Sequence, residues 1–355
     1  MANDTLFLTN LIPADNEHIQ YTGRIDFSFR EAPLFIYAGS YLKARFTGTE
    51  LKAVIQNRKN WGRQFIGYII DHAITGKILL NEDDQKRVYT LADNLADTEH
   101  EVILYKCMDS TGYFRFFGFL LDSKGTLLPQ EEKPKRRIEC FGDSVSAGAV
   151  CEAWGWEGKP DPPHNGEYCN AWYSYIAMTA RNLGAELHNN SQGGLSLLNG
   201  TGYFRMPETL GLEFTYDKLG YVPELGLSQW DFNRFTPHVV VMAIGQNDPH
   251  PDNDISRDEG KKLRWKTKYK EILRDLRGHY PKALFILTTT LLYHDPCWDQ
   301  ALEEICLEMQ DEKIVKFTYK RNGKGTPGHL RILEHKEMAD ELTEFIKSFG
   351  ESLWE

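Results

Sequence analysis

Four short polar segments carry the residue types that an acyl-transfer site needs. Ser144 lies in Gly142-Asp143-Ser144, directly after an apolar stretch. A serine hydroxyl becomes a good nucleophile when a neighbouring base takes its proton, and the candidate base is His329. The negative charge that develops on the carbonyl oxygen needs fixed donors, for which the candidates are the backbone N–H groups of Ser144 and Gly194 and the side-chain amide of Asn247. Together these residues predict nucleophilic catalysis on an acyl compound.

The elements that must position these residues are alternating strands and helices. Predicted strands cover residues 138–141, 186–188, 239–244, 283–288 and 314–317. Predicted helices cover residues 171–183, 263–280, 298–309 and 333–349. This alternation implies crossover connections and a parallel sheet, whose ligands bind at the carboxyl ends of the strands. We therefore expect Ser144, Gly194 and Asn247 at one rim, with His329 in the loop before the last helix.

The chain is long enough for two domains, and the sequence pattern of its first third differs from the strand–helix alternation of the rest. Short apolar and polar alternations with turn signals at about ten-residue intervals predict a β-sandwich of the jelly-roll type over residues 1–128, without helices. Predicted strands here cover residues 24–29, 41–46, 52–55, 67–70, 101–105 and 116–120. Residues 129–136, with two prolines and alternating charge, predict an exposed linker to a second domain at 137–355.

Composition limits the kinds of partner that this protein is expected to bind and the compartment in which it is expected to lie. A formal net charge of -10 argues against nucleic acid, which requires a basic face. No stretch approaches the roughly 18 to 20 apolar residues of a membrane helix, and Met1–Thr5 lacks the charged start of a signal peptide. The six cysteines form no CxxC pair, so we expect reduced thiols and a cytoplasmic location. Composition leaves the oligomeric state open.

The four segments resemble the catalytic blocks of the SGNH (GDSL-type) hydrolase superfamily, here Ser144, Gly194, Asn247 and His329. The β-rich region in front, ending in the stretch 94–106, is similar to carbohydrate esterase family 2, whose members remove acetyl groups from xylan-derived and related sugars. The resemblance covers nearly the whole chain. It implies a three-layer α/β/α catalytic domain behind the jelly roll, no cofactor or metal, and an acetylated carbohydrate as substrate, as for an acetyl xylan esterase in xylan degradation. Gly193 is the rival of Gly194.

One position departs from the superfamily pattern. An Asp usually lies three residues before the catalytic His and orients it, whereas this chain has Thr326 there. We therefore predict a Ser–His dyad in which a main-chain carbonyl holds His329. Because a carbonyl adds little charge to stabilise an imidazolium, the site is expected to be weaker than a full triad. A carboxylate from elsewhere, such as Asp295 or Glu334, is the alternative.

Other residues offer competing assignments. His250 and His335, the latter expected on the last helix, are rivals of His329. The pair His294-x-x-Cys297 lacks further metal ligands at matching spacing, and the acidic loop 248–254 lacks the spacing of a calcium loop and is predicted to be a solvated turn. Four aromatic residues are expected to pack in the core or on the surface rather than to stack on sugars. They are Trp154, Trp156, Tyr293 and Trp298.

Three functions are compatible with these residues. The favoured one is a serine esterase that releases acetate from acetylated sugars through an acyl-enzyme. A lipase or lysophospholipase-type SGNH hydrolase would need an apolar acyl pocket, which the sequence does not reveal. A carbohydrate-binding protein with a degenerate site would explain the missing Asp at position 326.

Overall fold

The computed structural model describes residues 10–206, 208–222 and 226–355. The prediction made for Met1–Thr5 lies outside these residues. The N-terminal part forms two antiparallel six-stranded sheets. The first sheet contains β1 (Leu11–Pro13), β3 (Ile25–Asp26), β4 (Leu34–Phe35), β6 (Leu51–Lys59), β9 (Lys86–Ala92) and β11 (Gly112–Leu121). The second contains β2 (Ile19–Thr22), β5 (Tyr41–Thr47), β7 (Phe65–Ile70), β8 (Ile74–Leu79), β10 (Glu99–Lys106) and β12 (Leu127–Leu128).

The two sheets pack through one hydrophobic core. Strand β5 alternates, with Leu42 and Phe46 buried and their neighbours partly exposed, as a strand with one core face should. From the other sheet, Phe35 and Phe114 stack with ring centroids 4.7 Å apart within the same cluster. Each of the six predicted strands overlaps an observed one, and no helix occurs among the described residues up to 128. The jelly-roll connectivity stays a prediction.

The second part of the chain contains a five-stranded parallel sheet in the order β14-β13-β19-β20-β21. Its strands are β13 (Arg136–Gly142), β14 (Ala185–Asn189), β19 (Val239–Ala243), β20 (Leu284–Thr288) and β21 (Ile314–Lys316). The predicted parallel sheet is therefore confirmed. Residues 129–135 lie in no strand or helix and are mostly exposed, but the division of the chain into two domains at this segment stays a prediction.

Helices cover both faces of this sheet. They are α1 (Tyr175–Asn182), α2 (Leu212–Thr215), α3 (Glu259–His279), α4 (Cys297–Met309) and α5 (Ile332–Lys347). Helices α1 and α5 share one core cluster with Val239 and Val241, and α3 and α4 share another with Val240 and Met242. Strand β19 is thus buried on both faces, which explains its uninterrupted apolar sequence. No helix of the described residues is long and apolar enough to cross a membrane.

The connection from β14 to β19 was not predicted in detail. In place of a full-length crossover helix it contains the four-residue α2 and two small antiparallel pairs. The paired strands are β15 (Arg205–Met206) with β16 (Glu208–Thr209), and β17 (Lys218–Gly220) with β18 (Ser228–Gln229). The described elements of this stretch are two to four residues long, which is too short for periodicity to give a signal.

A buried ion pair joins the N-terminal sheets to the parallel sheet. Arg24 donates from Nη2 to Oε1 of Glu139 on β13 at 2.9 Å, and both side chains are fully buried. Its Nη1 donates to the carbonyl oxygens of Tyr216 and Lys218 at 2.7 and 3.0 Å. The guanidinium also lies 4.9 Å from the ring centroid of Trp230. A desolvated arginine with these partners ties the two parts together.

Removing one member of this pair should destabilise the protein strongly. Arg24→Ala leaves the Glu139 carboxylate buried without its counter-ion, so we expect the free energy of unfolding to fall by about 3–5 kcal/mol. Urea unfolding measures this change. The double variant Arg24→Met/Glu139→Met, which leaves no buried charge at this place, should lose less than Arg24→Ala. A double variant that is less stable than the single one would contradict this account.

Candidate active site

Ser144 lies at the carboxyl end of β13, next to the centre of the parallel sheet. The strand ends at Gly142, and the chain then makes a single helical turn in which the N–H of Ala147 donates to the carbonyl of Asp143 at 3.0 Å. The Asp143 carboxylate accepts the N–H of Val145 at 2.9 Å, which fixes the start of the turn. Ser144 is therefore held on a rigid element rather than on a free loop.

A cavity of about 340 Å³ opens over Ser144 and brings together parts that are distant in sequence. Three of the four predicted site residues, Ser144, Gly194 and His329, line it. The remaining lining residues are Trp61, Met108, Asp109, Thr111, Ala147, Ala149, Val150, His164, Cys169, Gly193 and Tyr203. The first four of these come from the N-terminal part, so both parts of the chain build the cavity walls.

The imidazole of His329 is held by a carboxylate. Its Nδ1 lies 2.6 Å from Oδ2 of Asp161, and its backbone N–H donates to Oδ1 of the same side chain at 3.1 Å. The expectation that a main-chain carbonyl holds His329 is wrong for this structure. Asp161 escaped the sequence analysis because it lies 168 residues before His329, in the loop between β13 and α1, and not in the usual position.

The residue in the usual Asp position helps to bring Asp161 to the site. The Oγ1 of Thr326 accepts the N–H of Gly158, which lies on the loop that carries Asp161, at 3.1 Å. From the other side, the buried Arg331 donates from Nη1 to Oδ1 of Asp161 at 3.0 Å. Burial alone would raise the pKa of Asp161, but the hydrogen bonds and charges of His329 and Arg331 lower it below the ordinary value. The carboxylate is therefore ionised at neutral pH.

The carboxylates considered from sequence have other partners. Asp295 accepts the N–H of Cys297 at 2.8 Å, at the start of α4. Glu334 accepts the N–H groups of Thr326 and Arg331 at 2.8 and 3.1 Å, at the start of α5. Both are helix-start contacts of the kind that satisfy free backbone donors. Neither forms a hydrogen bond with His329 in the described structure.

The rival histidines are also accounted for. His335 is buried on α5, as predicted, and its Nδ1 accepts the N–H of Tyr175 at 3.1 Å. His250 contacts the carbonyl of Gly202 through Nδ1 at 2.9 Å and stacks on the ring of Tyr203 at 4.1 Å. Of the three, only His329 lines the cavity that contains Ser144.

The backbone donors near Ser144 differ in availability. The N–H of Gly193 donates to Oδ2 of Asp109 at 2.8 Å, whereas among the described residues the N–H groups of Ser144 and Gly194 have no acceptor. Gly194 has a φ of +74°, and a Cβ there would lie 2.9 Å from Cβ of Tyr203, so both conformation and space favour glycine. The geometry thus favours Gly194 over Gly193 as the free donor.

Asn247 is partly exposed and is not among the residues that line the cavity. Its Nδ2 donates to the carbonyl of Leu195 at 3.0 Å and to Oδ2 of Asp143 at 3.4 Å. The next residue, Asp248, is fully buried and accepts the N–H of Leu197 and the indole N–H of Trp265. The prediction of a solvated turn is therefore wrong for Asp248, whose carboxylate anchors this loop to α3.

The other candidates from sequence have different surroundings. His294 contacts the carbonyl of Leu292 and the carboxylate of Asp299, and the described residues contain no cluster of His, Cys, Asp and Glu that could hold a metal ion. Trp298 is in the core, while Trp154, Trp156 and Tyr293 are exposed outside the cavity.

The sequence did not predict that Trp61 and Tyr203 are aromatic residues of the cavity. They are 48% and 59% exposed, and nothing in the local pattern places them beside Ser144.

Comparison with known proteins supports the sequence resemblance. Residues 21–130 match the family model described as carbohydrate esterase 2 N-terminal. The chain is 30% identical over 345 residues to the cellulase/esterase CelE of Acetivibrio thermocellus, covering 94% of this chain and 40% of that protein. It is 29% identical to the acetylxylan esterase / glucomannan deacetylase of Cellvibrio japonicus, covering 94% of this chain and 90% of that one. The predicted resemblance to carbohydrate esterase family 2 is confirmed.

A solved structure agrees over the same extent. A family two carbohydrate esterase from Clostridium thermocellum, in complex with cellohexaose, superposes with a TM-score of 0.78 at 27% identity. The match covers 95% of this chain and 100% of that one. The prediction of a carboxylic ester hydrolase agrees with these comparisons, because the named relatives are esterases.

Asp161→Asn should lower turnover strongly. The amide keeps the shape but removes the charge and lets the imidazole take the wrong tautomer, so we expect kcat for an aryl acetate to fall by about 10²- to 10⁴-fold. The matched control is Asp295→Asn, which alters a carboxylate that contacts the N–H of Cys297 and does not line the cavity, and it should leave kcat within about twofold. Equal effects of the two variants would contradict the role of Asp161.

Asp143 should make stability depend on pH. Burial raises its pKa to about 6, so the folded protein binds more protons than the unfolded chain between about pH 4 and pH 6. The free energy of unfolding therefore falls as the pH rises through this window. Asp143→Asn lacks this titration, so its stability relative to wild type should rise by on the order of 2 kcal/mol from pH 4.5 to pH 7. A difference in urea unfolding that does not change with pH would refute this.

Proposed function

We propose that this protein is a serine esterase that removes O-acetyl groups from xylan-derived or related oligosaccharides through an acyl-enzyme. The observation that carries the proposal is the contact of His329 with Asp161 at the edge of a cavity that also contains Ser144. The names of the relatives support the substrate class. The chain spans 40% of the length of CelE, so only part of that protein's activity is relevant here.

In the first half of the proposed reaction, Ser144 Oγ attacks the carbonyl carbon of the acetyl group while Nε2 of His329 accepts the hydroxyl proton. The ionised Asp161 stabilises the imidazolium that forms. The tetrahedral oxyanion receives hydrogen bonds from the N–H groups of Ser144 and Gly194 and from the amide of Asn247, once that amide turns from Leu195. The bond to the sugar oxygen then breaks, and His329 gives its proton to that oxygen.

In the second half, water attacks the acetyl group on Ser144. His329 takes a proton from this water, and the carbonyl oxygen again receives negative charge at the same donors. Collapse of the intermediate breaks the bond to Ser144 Oγ, which recovers its proton from His329, and acetate leaves. Ser144, His329 and the oxyanion donors thus serve both halves of the cycle, and no cofactor is needed.

The shape of the site suits a small acyl group on a sugar. A cavity of about 340 Å³ is near the lower end of ligand cavities, and the exposed aromatic side chains of Trp61 and Tyr203 contribute to its lining. Asp161 also removes the reason for suspecting a degenerate site. A cytoplasmic location stays a prediction from the cysteine pattern.

Aryl acetate hydrolysis tests this function. Ser144→Ala and His329→Ala should abolish it, and Asn247→Ala should lower kcat by about 10²- to 10³-fold through loss of one oxyanion donor. Ser146→Ala is the matched control, because its hydroxyl contacts Tyr175 and not the cavity, and it should retain activity. Full activity in Ser144→Ala or His329→Ala would refute the proposal.

Acyl chain length separates the esterase from a lipase. With p-nitrophenyl esters, a sharp fall in kcat/KM beyond acetate supports deacetylation. A rise toward long chains would favour the lipase instead.

A further inference from the structure

The turn between β10 and β11 in the N-terminal part packs against the glycine loop of the cavity. Asp109 accepts the N–H of Gly193 through Oδ2 at 2.8 Å. Its neighbour Ser110 donates to Oε1 of Gln192 from both its hydroxyl and its backbone N–H, the latter at 3.1 Å. Tyr221 donates to the same oxygen at 3.2 Å. Asp109 thus holds the backbone N–H of Gly193, while Ser110 and Tyr221 hold the side chain of the preceding residue, Gln192.

We propose that Asp109 is a positioning residue that holds the oxyanion-binding loop in its working geometry. The inference rests on the proposed function and extends it to a residue outside the parallel-sheet part. By accepting the N–H of Gly193, Asp109 orients the preceding peptide and leaves the N–H of Gly194 as the donor that faces the reaction. Pre-oriented donors stabilise a transition state because they need no reorganisation during the reaction.

The carboxylate is itself held in place, as a positioning group must be. Its Oδ1 accepts the backbone N–H of Thr111 at 3.0 Å and the hydroxyl of Thr111 at 2.6 Å. Below it, the fully buried Lys106 donates to the carbonyl oxygens of Met108 at 2.6 Å and of Asp109. Both oxygens of Asp109 and the backbone of its turn are therefore fixed before substrate arrives.

Position 193 has room only for glycine beside this carboxylate. A Cβ on Gly193 would lie 2.6 Å from Oδ2 of Asp109, so an alanine there would force the carboxylate to move. Because the backbone at Gly193 is not in the left-handed region, Gly193→Ala disturbs the contact with Asp109 rather than the local conformation. The same hydrogen bond can thus be broken from either side.

Asp109 also lines the cavity, so a direct contact with substrate is the competing role. The two roles differ in kinetics. A residue that only binds substrate raises KM and leaves kcat unchanged, whereas a residue that shapes the oxyanion site lowers kcat.

The experiment measures kcat and KM for an aryl acetate in Asp109→Ala. We expect kcat to fall by at least about tenfold, but by no more than the loss of one whole oxyanion donor would cause. The KM should stay within about threefold of the wild-type value. Asp109→Asn, which keeps one acceptor oxygen, should fall between Asp109→Ala and wild type. An unchanged kcat, or a rise in KM alone, would overturn the proposal.

The matched control is Asp122→Ala. Asp122 accepts backbone N–H groups of Thr49, Lys124 and Gly125 at another turn of the N-terminal part, away from the cavity. It should lower stability without lowering kcat. A loss of kcat as large as that of Asp109→Ala would show that general loosening, and not positioning, explains the effect.

A double-mutant cycle with Gly193→Ala gives a second test. It does not depend on the kinetics of Asp109→Ala alone. If both substitutions break one hydrogen bond, Gly193→Ala should lower kcat in wild type but change it little in the Asp109→Ala background. Additive losses would overturn the proposal. Wild type and Ser144→Ala in the same assay report on the esterase function alone, so its failure is distinguishable from failure of the role of Asp109.

Discussion

The hydrogen bond between Nδ1 of His329 and the carboxylate of Asp161 is the constraint on which the site depends. An imidazole can act as a base toward a serine only if its other nitrogen carries the proton and the ring is held in place. Here a loop from the start of the parallel-sheet part supplies that partner, and Arg331 and Thr326 hold the loop where it is needed. The chain therefore has the orienting charge that its usual motif position lacks.

The N-terminal part is a structural component of the site. Besides Asp109 and Ser110, Lys77 on β8 donates to the carboxylate of Glu152 and to the carbonyl of Glu167, each at 2.7 Å. These two residues lie on the segment between β13 and α1 that also carries Asp161. The N-terminal sheets thus support both loops that shape the cavity. The buried ion pair of Arg24 and Glu139 connects the N-terminal part to the parallel sheet.

Much of this could be predicted because local patterns determine it. The apolar run of β19 and the periodicity of α3 reveal the sheet and its helices, and the rule for carboxyl ends of strands places Ser144 and Gly194 at one rim. Asp161, Asp109 and Trp61 could not be predicted, since a single Asp or Trp in a loop has no periodicity and meets its partner only through long-range contacts. The substitution of Thr326 for the usual Asp was visible, but the loop that compensates for it was not.

The most direct test of the central claim is the tautomer of His329 in solution. The measurement uses ¹H–¹⁵N spectra of histidine-labelled protein, in which the His329→Ala variant assigns the signals. Neutral His329 should carry its proton on Nδ1, and that proton should give a strongly deshielded ¹H signal. In Asp161→Asn that signal should shift upfield or disappear. A proton on Nε2 in the wild type, or spectra that Asp161→Asn leaves unchanged, would contradict the account.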